Sequence, residues 1–142
     1  MDVRSAIADD AAAIAPLLAE LGYPVEPARA RVRLDRIANG AGRAGVLVAE
    51  VDGVPAALIA YQLIEHLERP DPTCRITALV TGRESRRRGA AARLLAAVEE
   101  LAREQGCDRL EVTTRPHREE ALAFYLGAGF TERPRRLVRL LA

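Results

Sequence analysis

The chain is 142 residues long, 49% hydrophobic and 29% charged, which suits a single globular domain over 1–142 with a sizeable core and excludes a disordered or collagen-like chain. Its formal net charge of +1 argues against a generic polyanion binder, because such domains carry a clear basic excess. All 21 basic side chains are arginine, which excludes both a lysine Schiff base and a P-loop lysine.

MDVRSAIADD lacks the basic-then-apolar pattern of a secretory signal. No apolar run approaches the roughly eighteen residues of a membrane helix. The expectation is a cytoplasmic protein without a membrane partner. Within that opening, VRSA suits a short first strand, and Asp9 or Asp10 offers an N-cap for an apolar helix through Ile14, Leu17, Leu18 and Leu21 that stops at Gly22 and Pro24. Pro27 fits a first helical turn, and Ala28, Val32, Leu34 and Ile37 give a weaker amphipathic helix ended by NGAG. GVLVAEVDGVPAALIAYQLI reads as a hairpin turning at Asp52-Gly53, a pair suited to positive φ.

After ERPDPT breaks the chain, CRITALVT reads as a strand. A long helix is expected from about Gly89, with Ala91, Leu94, Leu95, Val98, Leu101 and Ala102 on one face and Gly106 as its stop. RLEVTT is a further strand, REEALAFYL a short helix ended by Gly127 and Gly129, and RRLVRLLA a closing strand. Cys74 and Cys107 lack metal-ligand or redox spacing, so no metal is expected and both thiols read as reduced. The order β-α-α-β-β-β-α-β-α-β predicts an α/β chain: a mixed sheet with helices on both faces.

RESRRRGAAARLL, residues 83–95, places an arginine-rich turn and one glycine between a strand and a helix. A helix N-terminus carries unsatisfied amide donors and partial positive charge, which favour phosphate oxygens. Gly89 removes a Cβ where a phosphate would approach, Ala90 and Ala91 keep the next positions small, and neighbouring arginines add charge-assisted hydrogen bonds. Neither G-x-x-x-x-G-K-[ST] nor G-x-G-x-x-G is present. The alternative meaning of Arg86–Arg88 is a solvated charged turn.

The pattern R-x-x-G-x-A at Arg86, Gly89 and Ala91 resembles the coenzyme A pyrophosphate loop of the GNAT (GCN5-related N-acetyltransferase) family, [QR]-x-x-G-x-[GA]. The surrounding strand, loop, long helix and strand resemble that family's central block, and ALAFYLGAGF is similar to its second block, A-x-x-F-Y-x-x-x-G-F. The resemblance implies a mixed, mostly antiparallel sheet flanked by helices, whose fourth and fifth strands splay around acetyl-CoA. On it, main-chain groups of Leu79, Val80 and Thr81 would pair with the pantetheine arm, and the Val80 amide would polarise the thioester carbonyl. Amides from Arg87 to Ala92, with the Arg86, Arg87 and Arg88 turn, would hold the pyrophosphate.

Tyr125 takes the position of the tyrosine that protonates the leaving thiolate; its alternative is core packing. Two positions depart from the family. Thr77 stands where relatives often carry an acid, leaving the general base unassigned, and Arg118 stands where they often carry asparagine at a coenzyme contact. Candidate proton acceptors are Glu50, Glu65, His66, Glu68 and above all Glu111, set in an otherwise apolar strand; His117 is expected in solvent. Tyr23, between the first two helices, is either an acceptor-pocket residue or a packed loop aromatic.

The resemblance therefore implies an acetyl-CoA-dependent N-acetyltransferase acting on a primary amine, one carried by a small molecule since the chain shows no appended recognition domain, and a homodimer is a further expectation. A non-catalytic acyl-CoA sensor or partner module is the alternative. A nucleic-acid binder is disfavoured because Glu99, Glu100 and Glu104 share the outer face of the long helix.

Overall fold

A computed structural model describes residues 1–115, 118–133 and 135–141. The chain divides into two compact units, 1–112 and 113–142. In the first, β1 (Asp2–Ser5) leads through a 3-10 turn (Ala8–Asp10) to α1 (Ala11–Leu21) and α2 (Pro27–Ala38). Then come β2 (Ala44–Val51), β3 (Val54–Ile64), β4 (Thr73–Thr81), a 3-10 turn (Arg83–Ser85), α3 (Ala90–Glu104) and β5 (Arg109–Val112). The strands form one sheet in the order β1-β2-β3-β4-β5, antiparallel except for the β4–β5 pair.

Local chemistry accounts for these boundaries. Asp52 and Gly53 both take positive φ at the hairpin turn, whose twist matches the strands. Gly22 closes α1 in the left-handed region (φ 102°), and Pro27 opens α2. Asp10 precedes α1, but its carboxylate turns back, accepting the Ile7 N–H at 2.8 Å and both terminal nitrogens of Arg4 at 2.8 Å. Arg4 also donates to Glu50 at 2.5 Å, so one guanidinium ties β1 to β2 and to the start of α1. The Arg4 hydrogen bonds hold the Asp10 carboxyl below its usual range, against the upward push of burial and with help from the Ile7 N–H and the Arg4 charge.

Both faces of the sheet are covered. Val48, Leu58 and Val80 form a core with Ile14 and Leu17 of α1. The alternate residues Ala49, Ala57 and Ile59 are fully buried on the opposite face, while α3 buries Ala90, Leu94, Leu95, Val98 and Ala102. The face expected for α2 is corrected. Ala30 is its buried residue, with Leu34 and Ile37 half-buried on the same stripe. Ala28 and Val32 are exposed, because they lie one helical ridge away from the Ala30–Leu34–Ile37 spacing.

Two irregularities shape the sheet. Ala49 pairs with Ala57 and Glu50 with Pro55, leaving Ala56 as an extra residue in β3. On β4, Ala78 faces Ala60 and Ile76 faces Tyr61, so Thr77 is the extra residue. Paired residues share a face, so Ile76 and Ala78 point to opposite sides of the sheet despite standing two apart.

The second unit holds α4 (Glu119–Gly127), followed by Gly129 at φ 97°. The closing strand expected from RRLVRLLA is not there: residues 135–141 contain no strand, and Leu137 and Leu141 are more than nine-tenths exposed. A strand exists only as one side of a hydrogen-bonded ladder, and no other strand occurs among the described residues of that unit. Alternating apolar sequence without a partner strand leaves the backbone irregular.

Candidate functional site

β4 pairs with β5 only from Thr73↔Arg109 to Ile76↔Val112. From Ala78 to Thr81 it is laddered to β3 alone among the described strands. The break coincides with the Thr77 bulge, which bends a strand and ends regular pairing. Leu79, Val80 and Thr81 therefore lie on a stretch of β4 whose β5-facing side has no strand ladder. Val80 fixes that stretch, since its side chain is buried in the α1 core. Thr77 is exposed and supplies no carboxylate.

The turn beyond β4 is held residue by residue. Gly82 donates its N–H to the bulge carbonyl of Ala56 at 2.8 Å, and Arg83 N–H donates to Oε1 of Glu20 at 3.1 Å. Ser85 N–H returns to Gly82 O at 2.9 Å, and Arg86 Nε reaches Thr81 O at 3.4 Å. Arg87 (φ 67°) and Gly89 (φ 80°) are both left-handed, separated by a residue of negative φ. Alternating signs of this kind turn successive amides toward one concavity, an arrangement suited to an anion. For a non-glycine residue such as Arg87 the conformation costs about 1 kcal/mol or more. At Gly89 a Cβ would meet nothing within 4 Å, so the backbone angle rather than steric room calls for glycine.

α3 begins at Ala90 with no side-chain cap. Its first amides, on Ala90, Ala91 and Ala92, have no partner one turn back within the helix. Ala90 is buried, Ala91 half-buried, and Arg86, Arg87, Arg88 and Ala92 are exposed. Cations and unspent amides thus sit together where a helix dipole is positive.

The other candidates lie elsewhere. Glu111 pairs with Arg75 at 3.1 Å and stands in register with it, five residues upstream of Val80, or roughly 17 Å along the strand. His66 lies beside Thr73, at the opposite end of β4, with its Nε2 2.8 Å from Thr73 Oγ1 and 2.5 Å from an Arg69 nitrogen. Glu68 approaches the other ring nitrogen at 3.8 Å. Glu50 is committed to Arg4, and Glu65 is exposed next to His66. None of these acids or His66 is brought to the open stretch of β4. His117 lies outside the described residues. Tyr23, just past α1, is 53% exposed and donates its backbone N–H to Leu18 O.

In the second unit, Arg118 is the N-cap of α4. Tyr125 is buried, with edge-to-face contacts to Phe124 (5.4 Å) and Phe130 (5.3 Å). Burial pushes its phenol up to about 12, so it keeps its proton at neutral pH. The Cys74 thiol, fully buried, is likewise pushed up to about 11, which argues against a thiolate nucleophile. No group of three potential metal ligands occurs among the described residues.

One contributor escaped the sequence reading. Glu20 is the penultimate residue of α1 and reads there as an exposed helix acid, and no local pattern links it to a turn 63 residues later.

Comparisons agree with this geometry. The model of the Acetyltransferase (GNAT) family matches residues 11–130. Curated proteins give no match. Among solved structures, a transcriptional regulator from Bacillus halodurans C-125 is 21% identical over 99% of each chain, with a TM-score of 0.89. An aminoglycoside N-acetyltransferase, AAC(6')-Iy, in complex with CoA is 18% identical over 99% of this chain and 93% of its own, with a TM-score of 0.85. A ribosomal-protein-alanine N-acetyltransferase from Brucella melitensis biovar Abortus 2308 is 18% identical over 99% and 100%, with a TM-score of 0.80. Sheet, helices and the interrupted fourth and fifth strands are those of the GNAT acyltransferase fold, and the match over most of its length makes this chain a member of the GNAT acetyltransferase family.

Proposed function

We propose that the protein is a cytoplasmic N-acetyltransferase that moves the acetyl group of acetyl-CoA directly to a primary amine of a small molecule. The observation that carries this is the uncapped start of α3 behind the left-handed Arg87 and Gly89, continuous with the unladdered edge of β4. Its donors suit the pyrophosphate of a coenzyme A thioester, and that edge suits an amide-bearing arm. On this reading Arg86, Arg87 and Arg88 and the amides through Ala92 hold the phosphates. Leu79 and Thr81 pair with the arm, Val80 N–H meets the carbonyl oxygen as negative charge develops, and Arg118 contacts the coenzyme.

Tyr125 donates its hydroxyl to the departing sulfur. A phenol near 12 is less acidic than a thiol of about 8.5, so its hydrogen bond stabilises the growing thiolate before any transfer is complete. Tyr23 and Glu111 are assigned to the acceptor side. Without a carboxylate at Thr77, the amine's proton leaves through water, which requires the amine to arrive neutral. The small-molecule acceptor is supported by likeness to two aminoglycoside acetyltransferases. A homodimer belongs to the same proposal, supported by the exposed Leu137, Leu140 and Leu141; a single monomeric species in sedimentation at all concentrations would remove it.

The test is calorimetric titration with acetyl-CoA, followed by a screen of amines for acetyl-CoA-dependent thiol release. No binding at millimolar coenzyme removes the proposal. A second reading, a non-catalytic acyl-CoA sensor, is favoured by the exposed Thr77 and by the similar Bacillus halodurans protein called a transcriptional regulator. It requires coenzyme binding with no amine turned over, so one good acceptor amine ends it.

A further inference from the structure

We infer that Glu20 is a positioning residue for the turn that holds the coenzyme's pyrophosphate; the inference rests on the coenzyme reading above. Oε1 of Glu20 accepts the Arg83 N–H at 3.1 Å and lies 3.9 Å from that residue's Nε. A Cβ built on Gly82 would stand 3.8 Å from Oε2, 3.1 Å from Leu17 Cδ2 and 3.2 Å from Ala56 O. The last turn of α1 therefore presses on the first residue after β4.

The two amides that follow β4 are each fixed by a different element. Ala56 of β3 takes Gly82 N–H, and Glu20 of α1 takes Arg83 N–H. Together they set the direction in which the chain leaves the sheet. Everything downstream inherits that direction: the Arg83–Ser85 turn, the left-handed Arg87 and the start of α3.

Electrostatics makes this role testable by sign. A carboxylate beside a phosphate-binding turn repels the ligand. If Glu20 were merely a surface acid, removing it would tighten coenzyme binding. If it positions the turn, losing the acceptor weakens binding, whereas an uncharged acceptor of the same shape preserves it. Glutamine offers that acceptor through its amide oxygen.

The experiment titrates coenzyme A into the wild type, Glu20→Ala and Glu20→Gln at one ionic strength, with thermal midpoints measured alongside. The expected result is about tenfold weaker binding for Glu20→Ala, the scale of one lost charge-assisted hydrogen bond. Glu20→Gln should bind at least as tightly as the wild type. With acetyl-CoA and an acceptor amine, Glu20→Ala should raise KM for the thioester while kcat holds. Equal or tighter binding by Glu20→Ala overturns the inference, and so does a Glu20→Gln variant as weak as Glu20→Ala. A wild type that does not bind coenzyme A overturns the coenzyme reading itself and removes this inference with it; normal wild-type binding with an unaffected Glu20→Ala overturns this inference alone.

Discussion

Gly89 offers the sharpest separation of backbone conformation from electrostatics. It sits at φ 80°, ψ 12°, one residue before α3, and a Cβ there would touch nothing within 4 Å. Gly89→Ala therefore costs only the left-handed backbone penalty, about 1 kcal/mol of stability, and should leave coenzyme A affinity within about tenfold. Gly89→Glu carries the same penalty and adds a carboxylate in front of the unspent amides. At about 5 Å from one phosphate charge, with an effective dielectric constant near 20, the repulsion is about 3 kcal/mol. That corresponds to a loss of more than 100-fold in affinity. Calorimetry at about 0.05 M and 0.5 M salt checks the cause, because screening should restore part of the Gly89→Glu loss and none of the Gly89→Ala loss. Wild-type affinity in Gly89→Glu would refute the phosphate assignment. Equal losses in both variants would show that backbone conformation, not charge, governs the site.

Tyr125→Phe keeps the ring's edge-to-face contacts and should retain coenzyme A binding, while single-turnover acetyl transfer falls roughly 10²-fold; an unchanged rate would make Tyr125 a packing residue. Gly45 lies under the Tyr61 ring, where an added Cβ would stand 2.6 Å from Cζ and 2.8 Å from Cε1. Gly45→Ala should thus lose about 1–3 kcal/mol in urea unfolding, with Tyr61→Leu but not Tyr61→Phe restoring much of it in a double-mutant cycle. Asp10 has its pKa lowered by Arg4, so its contribution to stability is complete above the unfolded carboxyl value near 4 and is lost as pH falls through the lower folded value. Unfolding curves from pH 5 to 2 should therefore show a shallower acid slope in Asp10→Asn than in the wild type, and parallel slopes would contradict the Arg4 clamp.

Much of the architecture was legible because local residues determine it. Asp52-Gly53 specifies its turn by backbone preference alone, Gly22, Gly106 and Gly129 mark helix ends through their positive φ, and the Leu94–Leu95–Val98–Ala102 stripe of α3 declares its buried face. Gly89 and the arginines before it were visible for the same reason. What escaped depends on residues remote in sequence. The Thr77 bulge is invisible in an unbroken run, since an extra residue exists only relative to β3 opposite. RRLVRLLA has strand composition, yet a strand requires a ladder partner, and the described residues of its own unit contain none. Asp10 does stand at the N-cap of α1, but that its carboxylate serves Arg4 instead of the helix amides follows only once β1 is brought beside it. Glu20 could not be singled out because its partner is a backbone amide, which no side-chain pattern advertises.

The bulge in β4 has a consequence for how this strand tolerates change. Because side chains alternate with strict parity, Thr77 acts as a frame-setting insertion: Cys74 and Ile76 are in one phase, Ala78 and Val80 in the other. An exposed side chain at position 77 leaves its chemical identity nearly free. Its presence is not free, since deleting that one residue would make Ile76 and Ala78 direct neighbours on opposite faces, keeping Val80 in the α1 core but replacing the bulge with a regular ladder and removing the bend where pairing with β5 ends. Here length carries the information that composition does not: a substitution scan would report position 77 as permissive, while its deletion would leave the core in place and change the bend beside the open stretch of β4.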